Sequence, residues 1–124
     1  MKKYLLFLCV CIVLSSFITI SFTQIVNALK SGDANEVSKY LDNTVEITLP
    51  ESTKSYSKNQ AQLVLRQFFS SNPVKDFKVI HESENAGSQY CIGNLTTSNG
   101  DFRTTIYMKQ KGDKQLVQEM RFEK

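Results

Sequence analysis

The sequence has few of the residues on which metal sites and acid–base catalysis most often depend. Its 124 residues include one histidine, His81, and three cysteines, two of which lie in an apolar N-terminal segment. One histidine and one remaining cysteine do not make a zinc site at a recognised spacing, and the scattered acids form no calcium-binding loop. Glycine-rich phosphate loops and the turn that presents a nucleophilic serine are also absent. We therefore expect no metal and no cofactor.

The net charge is also small, at +3 for the whole chain. Removing residues 1–21 takes away two lysines and no acid, which leaves a net charge of +1. A protein that binds nucleic acid normally carries a basic patch with a strong positive charge. We therefore expect no nucleic-acid partner.

The N-terminus combines two basic residues, Lys2 and Lys3, with an uncharged apolar run that reaches Phe22. A basic start, an apolar stretch and small residues near its end are typical of an export signal. We predict that residues 1–21 are a signal peptide and that residues 22–124 form a single domain, exported to the periplasm or cell envelope or secreted. In the alternative, the run stays uncleaved as an anchor, because ~20 apolar residues span a membrane. That anchor would be the protein's only membrane contact.

Export leaves Cys91 as the only thiol, and one thiol cannot form an internal disulfide even in an oxidising compartment. Cys91 lies in "SQYCIGNL", which reads as a strand, so a buried and unreactive thiol is expected. The fold must then be held together by its hydrophobic core.

Helical patterns come first after the apolar run. In "FTQIVNALKSGDANEVSKYLDN", apolar residues at helical spacing precede Gly32, which can take the left-handed conformation that ends a helix. Asp33 and Glu36 then predict a capping box for a second short helix that carries Tyr40 and Leu41 inward. Two helices joined by a tight corner are therefore expected.

A strand pair and a third helix follow. "TVEITLP" alternates apolar and polar residues until Pro50, so it reads as a half-buried strand with Glu46 on its polar face. "ESTKSY" reads as a short, polar edge strand. Ser57 and Gln60 predict a capping box at the start of a helix that stops near Pro73.

The remainder of the chain alternates apolar runs with turn signals and predicts a four-stranded meander. "VKDFKVIHE" places His81 on the same face as Phe77 and Val79. "SNGD" supplies Asn99 and Gly100, whose positive φ angles suit a tight hairpin. The chain is therefore predicted to have an α+β fold, with a curved sheet, mixed or antiparallel, packed on three helices.

This order of elements resembles the cone-shaped nuclear-transport-factor-2-like fold, which is also called cystatin-like or ketosteroid-isomerase-like. The segments "IVNALKSGDANEVSKYLDNTVEITLP" and "YSKNQAQLVLRQFF" are more similar still to a family of small exported bacterial proteins of unknown function assigned to that fold. The resemblance covers essentially all of residues 22–124 and implies a fold rather than an activity. It also implies a pocket between sheet and helices, which members of the superfamily use for catalysis, for binding or for pairing with another subunit.

Five residues are candidates for lining that pocket: Glu46, Tyr56, His81, Tyr90 and Tyr107. His81 is the residue type that most often serves as a general base near neutral pH, and an ordinary strand histidine is the alternative. Tyr56 could point its hydroxyl into the pocket, or it could pack near Ala61 as the apolar staple before the Ser57 cap. The ketosteroid-isomerase relatives use an aspartate base, and no Asp in this sequence matches their motif. No catalytic residue is therefore assigned.

The missing catalytic set, the export signal and the order of elements together favour a non-catalytic module that binds a small ligand or a protein of the cell envelope. Two alternatives stay open. One is an isomerase or dehydratase that uses His81 or Glu46 as a base in an apolar pocket, where burial raises the pKa of a carboxylate. The other is a structural homodimer that covers an apolar sheet face.

Overall fold

The computed structural model describes residues 20–124 as three helices and six strands. Their bounds, in chain order, are α1 (Ile20–Ser31), α2 (Ala34–Ser38), β1 (Leu41–Leu49), β2 (Ser52–Ser57), α3 (Lys58–Ser71), β3 (Val74–Asn85), β4 (Ser88–Thr97), β5 (Gly100–Lys111) and β6 (Lys114–Glu123). The predicted signal peptide, residues 1–21, lies almost wholly outside the described residues, so its cleavage and the anchor alternative stay predictions. None of these three helices is both long enough and apolar enough to cross a membrane.

The six strands form one sheet in the order β2-β1-β6-β5-β4-β3. β1 runs parallel to β6, and every other neighbouring pair is antiparallel. The helices cover one side of this sheet, with α1 against β3 and α3 against β1, and the buried strand residues point to that side. We call the other side the open face. The predicted α+β class, with a sheet packed on three helices, is confirmed, and the parallel pair of β1 and β6 makes the sheet mixed.

Gly32 ends α1, as the sequence predicts. Its φ angle is +65°, and its amide N donates to the Leu29 carbonyl O at 3.1 Å. A Cβ atom at this position would lie 2.9 Å from Val74 Cβ, so both the backbone angle and the available space favour glycine. The tight corner between α1 and α2 therefore depends on this one residue.

The capping box predicted for α2 is only half present. Asp33 caps the helix, because its side chain accepts a hydrogen bond from the Asn35 amide N at 2.9 Å. Glu36 pairs instead with Lys39 Nζ at 2.9 Å, on the exposed surface of the helix. The reciprocal bond is lost because the carboxylate of Glu36 has a cation within reach.

The second helix is also shorter than predicted. Its last residue is Ser38, whereas the apolar pattern placed Tyr40 and Leu41 in the helix. Leu41 instead begins β1, because the Val117 amide N donates to the Tyr40 carbonyl O at 2.7 Å and joins the chain to β6. Pairing with a strand far along the sequence therefore overrides the local helical pattern.

The capping box predicted for α3 is complete. Ser57 Oγ accepts from the Gln60 amide N at 3.2 Å, and Gln60 Oε1 accepts from the Ser57 amide N at 3.4 Å. These bonds pair amide groups that a helix start otherwise leaves free, and such a cap is worth ~1 kcal/mol. At the other end, the Asn72 amide N donates to the Phe68 carbonyl O at 2.9 Å. α3 therefore begins and ends where the sequence predicts.

Aromatic side chains fill the space between α3 and the sheet. The ring centroid of Phe68 lies 4.8 Å from that of Phe122 and 5.2 Å from that of Phe102. Apolar residues of all three helices and of the sheet extend this core: Ile25, Leu29, Val37, Val45, Ile47, Leu65, Phe69, Leu95, Ile106, Met108, Val117 and Met120. The part of the expected pocket that lies under α3 is therefore occupied by side chains.

In the turn between β4 and β5, the predicted positive φ angle is confirmed for Gly100 and wrong for Asn99. Gly100 has a φ angle of +107°, but among residues 20–124 only glycines have positive φ angles. The turn itself is formed by Ser98 and Asn99, and Gly100 pairs with Thr97. The Asn99 side chain has another use, because its Nδ2 donates to the Ser71 carbonyl O and ties this turn to the end of α3.

Gly93 on β4 makes room for Phe77 of the neighbouring strand. A Cβ atom at Gly93 would lie 2.7 Å from Phe77 Cε2 and 2.8 Å from the Lys78 carbonyl O. Phe77 is only 1% exposed, so its ring has little space into which it could move. A side chain at position 93 would therefore force β3 and β4 apart or displace the ring.

We expect Gly93→Ala to lower the free energy of unfolding by about 1–3 kcal/mol, as overpacking of a core usually does. Chemical denaturation of both proteins measures this difference. Adding Phe77→Leu removes the ring atoms that the new methyl group would meet, so the double variant should lose less stability than the sum of the single variants. Strictly additive losses would contradict this account of Gly93.

A buried carboxylate links the start of β1 to the hairpin between β5 and β6. Asp42 Oδ2 lies 2.6 Å from Lys111 Nζ and accepts a hydrogen bond from Gln118 Nε2 at 2.7 Å. The Asp42 side chain is 7% exposed, whereas that of Lys111 is 55% exposed. The hydrogen bond from Lys111, followed by that from Gln118, lowers the pKa of Asp42 to about 2.

A carboxylate whose pKa is lower in the folded than in the unfolded state stabilises the fold above its unfolded pKa and loses this effect as the pH falls. Since Lys111 is half exposed to solvent, we expect Asp42 to contribute about 1 kcal/mol at neutral pH, lost between about pH 4 and pH 2. Asp42→Asn should remove this contribution and flatten the pH dependence of the unfolding free energy there. Glu36→Gln, which breaks an exposed pair, is the control and should change little. Identical pH profiles for Asp42→Asn and the wild type would contradict the assignment.

Candidate functional site

Four of the five candidate residues lie on the open face. In the strand register, Tyr90 is opposite Tyr107, Tyr107 is opposite Glu119, and Glu119 is opposite Glu46. Residues that face each other on neighbouring strands point to the same side of a sheet. Val45, next to Glu46, is buried against the helices, so Glu46 and the rest of this row point away from them.

The prediction that His81 shares a face with Val79 is wrong. Val79 pairs with Gly93 and His81 pairs with Ile92, the residue before Gly93, so Ile80 is an extra residue on β3. Such a bulge shifts the alternation by one position, and it turns the His81 side chain to the open face. His81 is the fourth candidate on that face, and its side chain is exposed.

Apolar side chains cluster on the open face around Tyr90. The rings of Tyr90 and Tyr107 make a T-shaped contact with their centroids 6.0 Å apart. Ile92 follows Tyr90 on the same face of β4, and Ile80 lies at the adjoining edge. Tyr90 is 37% exposed and Ile80 is 69% exposed. We call Ile80, Tyr90, Ile92 and Tyr107 the open-face patch.

Charged side chains surround the open-face patch. The β1 and β6 side carries three carboxylates: Glu46, Glu119 and Glu123. On the other side of the patch, β3 and β5 carry the basic residues Lys78, Arg103 and Lys109. Two carboxylates, Asp76 and Asp101, lie near the β4–β5 turn. Arg121 Nε lies 3.7 Å from Glu119 and 3.3 Å from Glu123, so it neutralises part of the acidic side. The patch is therefore an apolar centre with a charged rim.

Tyr56 is the one candidate on the helix side of the sheet. It is opposite the buried residue Val45, and its half-buried side chain packs against the core. It also directly precedes the Ser57 cap of α3. This packing favours the apolar staple over a hydroxyl that points into a pocket.

The two candidate bases lie too far apart to act together. β1, which carries Glu46, and β3, which carries His81, are separated by four steps across the sheet. At about 4.8 Å for each step, the two residues are roughly 19 Å apart along the sheet. Both side chains are exposed, and residues 20–124 contain no group of three or more His, Cys, Asp or Glu that could hold a metal.

Cys91 is a poor nucleophile in this environment. Its side chain is completely buried on the helix side of β4. Burial, with a smaller effect from the Glu82 carboxylate, raises the pKa of the thiol to about 12. The predicted buried thiol is confirmed, and little of it is ionised near neutral pH.

Two of the depressions formed by residues 20–124 lie away from the open face. The first, of about 320 Å³, lies between the α1–α2 corner and α3, where Arg66 Nη2 donates to Asn35 Oδ1 at 3.0 Å. Its main polar groups therefore bond to each other. The second, of about 410 Å³, lies at the C-terminal end of α3 and has Phe68 and Phe102 among its lining residues. We call this second depression the end groove.

Sequence reasoning missed both the edge of the open-face patch and the end groove. Alternation in "SQYCIGNLT" indicates that Tyr90 and Ile92 share one face, but no pattern in β3 indicates the bulge at Ile80. The end groove combines residues of β1, α3 and β5 with Lys124, which are far apart in the sequence. A local pattern carries no signal for such a site.

A family model described as "Domain of unknown function (DUF4783)" matches residues 22–123. Solved structures of this family are similar to the chain over most of its length. A DUF4783 family protein from Bacteroides fragilis YCH46 has 35% sequence identity and a TM-score of 0.78, covering 82% of this chain and 95% of that chain. A DUF4783 family protein from Bacteroides ovatus ATCC 8483 has 30% identity and a TM-score of 0.79, covering 82% and 92%.

A more distant structure supports the fold alone. An NTF2-like protein of unknown function from Cytophaga hutchinsonii ATCC 33406 has 9% identity and a TM-score of 0.59, covering 82% of this chain and 83% of that chain. The predicted nuclear-transport-factor-2-like fold and the predicted family of unknown function are therefore confirmed. No curated protein matches the sequence.

Proposed function

Because the chain belongs to the DUF4783 family of unknown function, its role has to be inferred from its own surface, and we propose that it is an exported, non-catalytic protein-binding module. The binding surface in this proposal is the open face of the sheet. Export is proposed from Lys2, Lys3 and the apolar run that follows them. The fold by itself implies none of these properties.

The observation that carries the proposal is the open-face patch. Tyrosine rings are enriched at protein interfaces, because they bury a large apolar area while the hydroxyl group keeps a hydrogen bond. Tyr90 and Tyr107 contact each other on a surface that no helix among residues 20–124 covers. A single exposed apolar side chain such as Leu63 on α3 needs no explanation, whereas neighbouring ones do.

The partner that best fits this face is a second copy of the chain. The four strands β3 to β6, about 4.8 Å apart and about ten residues long at about 3.4 Å each, give roughly 650 Å², within the range of about 600–1,000 Å² for one side of a standard interface. A two-fold axis that runs along the strands between β4 and β5 would set β6 of one copy against β3 of the other. Glu123 on β6 and Lys78 on β3 lie in the same row across the sheet, so opposite charges would meet.

The other hypotheses receive less support from the positions of their residues. The isomerase or dehydratase alternative needs His81 or Glu46 in an apolar pocket, and both side chains are exposed on separate strands. A different protein of the cell envelope would use the same open face and would compete with self-association.

We expect the wild-type protein to form a dimer at micromolar concentration and Ile92→Arg to weaken that dimer about 30-fold or more, because it places a charge at the centre of the interface. Sedimentation equilibrium measures both dissociation constants. Leu63→Arg is the matched control, since it puts the same charge on an exposed apolar position of α3, and it should leave the dimer unchanged.

Two results would contradict self-association through this face. One is a wild-type protein that stays monomeric up to about 1 mM, because a dimer that has not formed at that concentration is too weak to be specific. The other is a dimer that Leu63→Arg disrupts and Ile92→Arg does not.

Export makes a separate prediction. When the full chain is produced in a bacterial host, we expect the periplasmic fraction to contain a protein whose intact mass has lost about the first 21 residues. A chain that lacks residues 1–21 is the control and should stay in the cytoplasm. A full-length mass found in the membrane fraction would support the uncleaved anchor, and a full-length mass in the cytoplasm would contradict export.

A further inference from the structure

The end groove has an apolar floor. Phe68 and Phe102 form its deepest part and are 8% and 2% exposed, while the half-buried side chains of Leu49 and Val64 form its walls. Its volume of about 410 Å³ falls within the range of roughly 300–1,000 Å³ that is usual for small-molecule sites. An apolar group of modest size can therefore be accommodated without displacing the core.

One cation stands beside this apolar floor. Lys124 Nζ lies 5.2 Å from the centroid of the Phe102 ring and donates to the Asn99 carbonyl O at 3.0 Å. An ammonium group has three donors, so two of them are free for a ligand. None of the ion pairs found among residues 20–124 includes Lys124.

The turn that holds Lys124 is itself tied to the groove. Asn99 Nδ2 donates to the Ser71 carbonyl O and to Asn72 Oδ1, which lies 3.4 Å away. Ser71 and Asn72 belong to the end of α3 and line the same groove. The Lys124 ammonium is therefore positioned at the rim by α3, rather than extended freely into solvent.

We propose that the end groove binds a single-chain carboxylate, such as a fatty acid of medium length, with its chain over Phe68 and Phe102 and its carboxylate at Lys124. The charge complementarity with Lys124 selects an anion over a cation. Glu51 carries the one side-chain carboxylate among the groove's lining residues, and it disfavours a ligand with a second negative charge. This site is separate from the open-face patch and does not depend on the proposed protein-binding function.

Isothermal titration of the purified protein, stripped of bound lipid by solvent exchange, tests the proposal with three probes that share one alkyl chain: decanoate, decan-1-ol and decyltrimethylammonium. We expect decanoate to bind roughly tenfold more tightly than decan-1-ol, because only the carboxylate offers Lys124 a charged acceptor. The cationic probe should bind most weakly, because its ammonium group repels that of Lys124. Lys124→Gln should remove the tenfold preference and leave the binding of decan-1-ol unchanged.

A pair of tryptophan variants on α3 locates the site. Gln67 lines the groove from an exposed position, so Gln67→Trp should cover its mouth and abolish the binding of decanoate and decan-1-ol without altering the core. Leu63→Trp is the matched control, because Leu63 is 60% exposed one turn earlier and does not line the groove. Tyr90→Ala tests the open face and should leave decanoate binding intact.

Three outcomes would overturn the proposal. The first is decanoate binding that survives Gln67→Trp in a variant that still unfolds cooperatively. The second is equal affinity for decanoate and decyltrimethylammonium, which would remove the role of the cation. The third is the absence of decanoate binding by the wild-type protein at millimolar concentration.

Discussion

The architecture depends on the packing of Phe68 against Phe102 and Phe122, which joins α3 to the centre of the sheet. Buried aromatic pairs of this kind contribute ~0.5–1.5 kcal/mol beyond the area that they bury. Because α1, α2 and α3 all pack on this side, no helix within residues 20–124 covers the other side of the sheet. The open-face patch is therefore a consequence of where the aromatic core lies.

The same aromatic contact also creates the end groove. α3 stops at Ser71, while the ring of Phe102 lies at the start of β5, so the last part of the aromatic core lines the groove. The two surfaces differ in chemistry. The open face is broad, with an apolar centre and charges of both signs, which suits a protein. The end groove is smaller, and its one cation, Lys124, forms no ion pair within residues 20–124, which suits a small amphiphile.

Local patterns predicted the features whose causes are local. The Ser57–Gln60 box and the Gly32 corner were predicted correctly, because the bonds that form them join residues within three positions of one another. Leu41 and His81 were placed wrongly. Leu41 begins a strand rather than continuing a helix, because the Val117 amide N donates to the Tyr40 carbonyl O. His81 lies on the opposite face from the predicted one, because β3 pairs with β4 through a bulge. Neither cause can be read from the segment that it affects.

The sequence by itself determined the α+β class, the start of α3 and the lack of a catalytic or metal-binding motif, because these follow from composition and from neighbours along the chain. Only the tertiary structure decided that Tyr56 packs inward while Glu46, His81, Tyr90 and Tyr107 face outward. The side that a strand presents to the helices depends on its register, and a shift of one residue exchanges the two sides. Register is set by pairing between distant strands and by the packing of α3 on one face, which no local pattern contains.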